Sequence, residues 1–230
     1  VNVYNSNKSL NQLYKFPTKN ILSNNKVIYN GFDIEKFNPN HRIRNKIISF
    51  GMVGRMTTQK NQIQVLRVMK QIKNELNVPF KLYIIGDSSL DEGMKIKNFI
   101  NINKLINDVV LLDSQHHIEK YYKMIDVFVL SSFYEGCPNA LFEALLSKCF
   151  CLVSDGANSD SFIKDGVNGL VYDGSDKMLK VKLNEAYALI ENGLASDMTL
   201  NGYNYALNNF SISTMIKNYE CLYKNIVIKP

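Results

Sequence analysis

Short apolar runs and longer amphipathic stretches alternate along most of this chain. Runs at Ile47–Val53, Phe80–Ile85, Val109–Leu112, Val127–Leu130, Phe150–Val153 and Leu170–Tyr172 predict strands. Between them, helical spacing fills Gln62–Leu76, Glu92–Ile106, Ile118–Met124, Asn139–Ser147 and Ser159–Lys164. Strands that are apolar on both faces, each followed by a helix, imply a parallel sheet covered on both sides. After Asp176 the pattern holds helices only, at Lys177–Glu191, Ala195–Asn208 and Ile212–Ile226. The fold class expected is therefore α/β, a Rossmann-like parallel sheet with helices on both faces and carboxyl-terminal helices.

The first residues read differently. Val1 to Tyr14 suggests a strand end and a helix start, and Val27–Tyr29 a short strand closed by the turn pair Asn30-Gly31. A chain that begins at Val1, inside a strand pattern, reads as a fragment of something longer.

Composition narrows the field without deciding it. The chain has 230 residues, 46% of them hydrophobic, and a net charge of +6 with the basic residues scattered. Such a scattered charge reads first as a solvated lysine-rich face, and only secondarily as an aid to approaching acidic lipid headgroups or phosphorylated acceptors; no nucleic-acid motif accompanies it. The four cysteines, Cys137, Cys149, Cys151 and Cys221, have neither zinc-ribbon nor disulfide spacing, as in a reduced cytoplasmic protein. No apolar run is long enough to span a bilayer, and no signal peptide is recognisable. GxGxxG, GxxxxGK[ST] and Asp-x-Asp are all absent, which argues against a dehydrogenase, a P-loop kinase and a metal-dependent sugar transferase.

In an open parallel sheet, ligands bind beyond the carboxyl ends of the strands. The loop and helix start SSFYEGCPNALFEALLSK, Ser131 to Lys148, fit that place best. Gly136 allows a turn and Pro138 suits a first helical position. The amides of Asn139, Ala140 and Leu141 then form an anion seat, with Glu135 on one side and Glu143 on the other. After the Ile47–Val53 strand comes GMVGRMTTQKNQ. There Gly54 lets a ligand approach the backbone, Arg55 offers a planar fork for two phosphate oxygens, and Lys60 adds a mobile charge.

EGCPNALFEAL resembles the EGxPNxxxEA signature of the retaining family-4 (group 1) glycosyltransferases with the GT-B fold. GRMTTQK is similar to that family's GRxxxxK, with Asn61 where a glycine often follows. KVIYNGFDIEKFNP resembles its interdomain linker through Asn30, Gly31, Asp33, Phe37 and Pro39. Gly86-Asp87-Ser88 resembles its GDG turn, near a nucleotide or simply structural. LLDSQHHIEKYYKMID is similar in spacing to the segment that reads the base, with Asp113 in place of a glycine. The DGVNG turn, Asp165 to Gly169, also matches, while a usual upstream glutamate is Ser161 here, beside Asp160.

The resemblance implies a nucleotide-diphosphate sugar of UDP or GDP type as donor, with no metal and no other cofactor. It implies that Arg55 and Lys60 clamp the diphosphate together with Gly54 and the amides around Gly136, Cys137, Pro138, Asn139, Ala140 and Leu141. Glu135 would accept hydrogen bonds from the transferred sugar, Glu143 would hold the ribose, and Ser114, Gln115 and Ile118 would touch the base. Arg55, Lys60 and Glu135 carry the catalytic expectation. His116 and His117 read as exposed loop residues, since adjacent side chains rarely reach one ion.

The organisation implied is residues 1–40 as a remnant of an amino-terminal domain with the linker, 41–210 as the nucleotide-sugar-binding domain, and 211–230 as a helix packing toward the absent domain. The activity implied is hexosyl transfer with retention to a glycan or lipid-linked acceptor in polysaccharide biosynthesis, in the cytoplasm or peripheral at the inner face of the membrane. The fragment alone would be nearly inactive. A non-catalytic nucleotide-sugar-binding module and a GT-B sugar-nucleotide epimerase or phosphorylase remain the alternatives.

Overall fold

The computed structural model describes residues 1–13, 25–37, 47–76 and 78–227. Pro39 of the linker pattern and the expected boundary at residues 40–41 lie outside the described residues. The strands are β1 (Asn2–Tyr4), β2 (Asn25–Val27), β3 (Ser49–Val53), β4 (Lys81–Ile85), β5 (Val109–Leu112), β6 (Val127–Leu130), β7 (Phe150–Ser154) and β8 (Leu170–Tyr172). The helices are α1 (Asn7–Leu13), α2 (Gln62–Leu76), α3 (Asp91–Ile102), α4 (Glu119–Tyr122), α5 (Asn139–Leu146), α6 (Asp176–Glu191), α7 (Ser196–Phe210) and α8 (Ile212–Val227).

β3 to β8 form one parallel sheet in the order β5-β4-β3-β6-β7-β8. β1 and β2 pair separately. The chain thus winds outward from β3 to β5, returns past β3 to β6, and winds outward the other way. The junction between β3 and β6 is the switch point at which open sheets of this kind leave a crevice.

Side-chain alternation explains why the strands read as continuous apolar runs. Phe50, Met52, Val127, Val129, Phe150 and Leu152 point into a core shared with α2 and α6. Their neighbours Phe128, Leu130, Cys151 and Val153 point the other way, into a core shared with α5 and α7. Successive strand residues face opposite sides, so both sets must be apolar when both faces are covered. Gly51 breaks the run because a Cβ there would stand 2.2 Å from Ile125 Cδ1.

Several expectations need correction, beginning with the short strand read at Val27–Tyr29, which is Asn25–Val27. The Ser159–Lys164 segment is not a helix. Ser161 has φ +53°, and side-chain amides take the backbone bonds a helix would use. Asn158 both receives the Ile163 N–H and donates to its carbonyl, at 2.9 and 2.8 Å. Asn168 receives the Lys164 N–H at 2.7 Å and donates to the Phe162 carbonyl at 3.0 Å. The Glu92–Ile106 helix also ends early, at Ile102. Lys104 enters the left-handed region at φ +54°, and Leu105 N–H turns back to the Ile100 carbonyl at 2.9 Å.

The linker-like segment is docked against the carboxyl-terminal helices. Phe32 N–H donates to Phe210 O at 2.7 Å, and Ile212 N–H donates to Phe32 O at 3.1 Å. Asp33 Oδ1 receives the amides of Glu35 and Lys36. Phe37 is buried with its ring 5.9 Å from that of Tyr122.

Candidate functional site

The loops after β3 and β6 meet above the switch point and are laced together. Phe133 N–H donates to the Gln59 carbonyl at 2.9 Å, and Gln59 Nε2 donates to the Tyr134 carbonyl at 2.8 Å. Ser131 Oγ donates to the carbonyls of Lys60 and Asn61, at 2.8 and 3.1 Å. Asn61 has φ +51°, a region that asparagine tolerates better than most side chains. The residue that stands where the family often has glycine therefore keeps glycine's conformation.

This lacing brings Lys60 and Glu135 into contact, Nζ to Oε1 at 2.5 Å. Glu135 is 7% exposed, and its Oε1 also accepts from Ser132 Oγ at 2.6 Å. A carboxylate this buried requires such partners, because burying an unpaired charge is costly. Gly54 lies alongside, since a Cβ on it would meet Lys60 Cε at 3.4 Å. The next loop closes on the same place: a Cβ on Gly86 (φ +155°) would sit 2.0 Å from the Gly54 carbonyl oxygen.

Arg55 is exposed, with its carbonyl held by Gln62 Nε2 at 3.0 Å. Across the gap, Asp87 is held below the usual carboxylate range, first by its hydrogen bonds with Ser89 and to a smaller extent by the Arg55 charge.

α5 begins at Asn139, so Pro138 is the residue before the helix (φ −78°, ψ 83°) rather than its first. Of the three amides expected at its mouth, Asn139 donates to the Cys137 carbonyl at 3.0 Å and Leu141 to the Pro138 carbonyl at 2.9 Å. The Ala140 amide has no backbone partner among the described residues. Gly136 packs against the start of α1, where a Cβ would lie 3.2 Å from Ser6 Oγ. The Cys137 thiol is half-buried and pushed up by that burial, against a backbone hydrogen bond from Asn30.

Glu143, one turn into α5, is separated from Glu135 by the helix start. Its Oε2 accepts from the hydroxyl of Tyr122 on α4, at 2.9 Å. Burial pushes its carboxyl up, offset first by the Tyr122 hydrogen bond and then by the Lys36 charge. Ile118 precedes α4 and packs on the second core. Gln115 is held by Tyr121, whose hydroxyl donates to Oε1 at 3.1 Å, while Ser114 is exposed. The structure thus joins Lys60 to Glu135 directly and leaves Ser114, Gln115 and Ile118 on a separate loop two strands away. Asp113 stays outside the left-handed region and accepts from Ser88 Oγ at 2.5 Å.

Sequence reasoning missed Tyr122, Ser132 and Gln59. Tyr122 carried a usable signal, because a tyrosine buried in a helix needs a partner for its hydroxyl. Asp160, left open by the sequence, accepts the Asn7 amide at 2.8 Å and the Tyr29 hydroxyl at 3.1 Å, fastening α1 to the sheet. His116 and His117 are exposed, with His117 Nδ1 3.2 Å from Glu119 Oε1. Among the described residues no group of three His, Cys, Asp or Glu side chains could hold a metal ion. No described helix is long and apolar enough to cross a membrane.

A groove of about 730 Å³ lies elsewhere, lined by Ile48, Asp126, Lys148 and Tyr187 among others. Those first three residues precede β3, β6 and β7, so it opens at the amino ends of the strands. The charged pair and the glycine-lined loops lie at the carboxyl ends, where chemistry in such sheets belongs.

Known proteins resemble this chain in sequence or in fold. A UDP-Gal:alpha-D-GlcNAc-diphosphoundecaprenol alpha-1,3-galactosyltransferase of Escherichia coli is 29% identical over 213 residues, covering 88% of this chain and 54% of that protein. The chain thus spans about half the length of this curated relative. A glycosyltransferase of Rickettsia africae has the same fold over 99% of this chain and 64% of its own, with a TM-score of 0.87 at 18% identity. Anabaena HepE, solved in complex with UDP and glucose, matches 96% of this chain and 62% of its own, with a TM-score of 0.81 at 19% identity. The sequence profile described as Glycosyl transferases group 1 matches residues 33–204, three-quarters of the chain, and the chain belongs to that family.

Proposed function

We propose that this chain is the donor-binding portion of a retaining glycosyltransferase, which moves a hexose-type sugar from a UDP- or GDP-sugar to a glycan or lipid-linked acceptor. The observation that carries the reading is the Lys60–Glu135 pair, closed between the loops after β3 and β6 at the switch point. The names of the Escherichia coli relative, with a UDP-sugar donor and a diphosphoundecaprenol acceptor, and of the HepE complex with UDP support the donor and acceptor classes.

In this reading Arg55 and Lys60 take the diphosphate oxygens, and the open Ala140 amide adds the field of the α5 amino end. As the sugar leaves, charge builds on the diphosphate, and donors already in place stabilise it without reorganisation. Glu135 accepts hydroxyls of the sugar, and Lys60 sits where it can contact both sugar side and phosphate side. Glu143 accepts the ribose hydroxyls, and the loop at Ser114, Gln115 and Ile118 borders the base. No group here needs to act as a nucleophile: attack from the same face, aided by the leaving phosphate, gives retention.

The acceptor is assigned to a separate amino-terminal domain, so the described portion alone should transfer little sugar. Proximity between reactants can account for ~7–11 kcal/mol of a barrier. A lipid-linked acceptor would place the enzyme at the cytoplasmic membrane surface, which the +6 charge would favour.

Calorimetric titration with UDP, GDP, UDP-glucose and GDP-mannose, with and without a chelator, tests the donor reading. Binding that survives chelation is expected. Binding that vanishes with it overturns the metal-free clamp, and no binding of any of the four overturns the donor class.

A further inference from the structure

Tyr122 is completely buried, yet its hydroxyl ends between two acceptors: Glu143 Oε2 at 2.9 Å and the Ala140 carbonyl at 3.1 Å. A phenol carries one hydrogen and can donate it to only one of them. With Glu143 ionised, the carboxylate takes that hydrogen, since charge-assisted bonds are the stronger. With Glu143 protonated the chain reverses: the carboxyl donates to the phenol oxygen, and the phenol turns to Ala140. One set of atoms therefore supports two hydrogen-bond arrangements that differ by a proton on Glu143.

Other groups bias the choice. Lys36, from the linker-like segment, favours the ionised form. Glu119 on α4 lies 3.9 Å from Lys36 Nζ and shares that charge. Cys149 donates its thiol to the Tyr122 backbone carbonyl at 3.3 Å, and Cys149 and Cys151 both lie near the phenol. Burial opposes ionisation of both partners. The phenol itself, raised well above its ordinary range, stays protonated.

We propose that Tyr122 is a positioning residue for Glu143, holding one carboxylate oxygen so that the ionised group presents its remaining lone pairs to a vicinal diol such as that of ribose. This rests on the reading that Glu143 receives the ribose hydroxyls. Tyr122 also sits directly after the loop assigned to the base, so α4 ties base-side and ribose-side contacts into one rigid unit.

The sign follows from linkage. A carboxylate acceptor is present above the carboxyl's pKa and lost as pH falls through it. In Tyr122→Phe the hydrogen bond that offsets burial is gone, the carboxyl rises further, and loss of binding begins at higher pH.

The test is affinity for UDP-glucose and GDP-mannose, whose diphosphate diesters do not titrate near neutrality, measured by calorimetry from acid to mildly alkaline pH. Below the carboxyl's pKa, affinity should fall toward roughly tenfold per pH unit. Tyr122→Phe should match the wild type at the alkaline end and begin its fall at higher pH. Glu143→Gln should be weak and flat, and gives the baseline for every other titrating group. A Tyr122→Phe loss that is uniform across pH, or an unshifted fall, overturns the positioning role. A Glu143→Gln protein that binds like the wild type overturns the ribose reading beneath it, as does failure of both nucleotide sugars to bind. If Tyr122→Phe does not fold, 3-fluorotyrosine at position 122, a stronger donor of the same shape, should move the fall to lower pH. An unshifted fall there overturns the proposal as well.

Discussion

Glu135 and Glu143 belong to one short segment, yet the protein treats them in opposite ways. Glu135 is satisfied by a full positive charge, Lys60, and by Ser132, both on the same oxygen. Glu143, partly buried, is held by a neutral phenol, and burial pushes its carboxyl up. The residue type is the same, but one carboxylate is paired with a cation, and the other faces a phenol where burial pushes its carboxyl up. Neighbours from other loops, not the glutamates themselves, decide which is which.

The sharpest way to break this contrast is Lys60→Ala. It removes the phosphate contact proposed for Lys60 and also strips Glu135 of its cation. Nucleotide-diphosphate affinity should fall by about 3 kcal/mol, the upper end for a hydrogen bond to a charged group, which is over a hundredfold. Unchanged affinity by calorimetry would mean that Lys60 serves Glu135 alone.

Next come the two glutamates. Glu143→Ala should weaken bare nucleotide and nucleotide sugar alike, by about 2 kcal/mol or roughly 30-fold. Glu135→Ala should spare the bare nucleotide and penalise only the sugar-bearing donor, and in a protein with its acceptor domain it should lower turnover. Equal losses for both ligands in both variants would erase the distinction.

Arg55→Ala should cost about 1.5 kcal/mol, roughly tenfold in diphosphate affinity, because the guanidinium is exposed. Arg55→Lys should recover part of that, since a point charge cannot replace the fork. Full recovery would show that charge alone is used. The smallest effect belongs to Ser132→Ala, which leaves Lys60 to hold Glu135 by itself. About 1 kcal/mol of stability should be lost, seen as a lower thermal midpoint, with donor affinity little changed. A large affinity loss would place Ser132 in the site itself.

Much of this was legible in the sequence for a simple reason. Strands covered on both faces are apolar along their length, so fully buried β6 and the partly buried edge strands β5 and β8 are found where the apolar runs lie, and α2 where its spacing lies. The pairing of the loops after β3 and β6 was not legible residue by residue. It depends on strand order, and Gln59 to Phe133 is a contact that no local pattern announces. Ser159–Lys164 was misread because helical spacing ignores side-chain amides. Asn158 and Asn168 satisfy that backbone from outside, and nothing in the apolar pattern records it. Ile106 extends the α3 pattern falsely, since it is exposed and lies beyond the end of the helix at Ile102. Tyr122 is a core position, but its hydroxyl, bonded to Glu143, makes it more than filling.

The bridge between Phe32 and Ser211 also bears on the order in which the molecule is assembled. The two residues stand 179 positions apart (211 − 32), farther than any neighbouring strand pair in the six-stranded sheet. During synthesis β3 to β8 can pair as they emerge, while the segment around Phe32 must wait for α7 to end. Long-range closures of this kind come late, because their loop entropy is paid before their contacts reward it. Asn30, two residues upstream of Phe32, donates to the Asn139 side chain at the mouth of α5. The rim of the site is thus expected to be finished last, and pulse-labelled hydrogen exchange should protect the amides of Phe32 and Ile212 after those of β4.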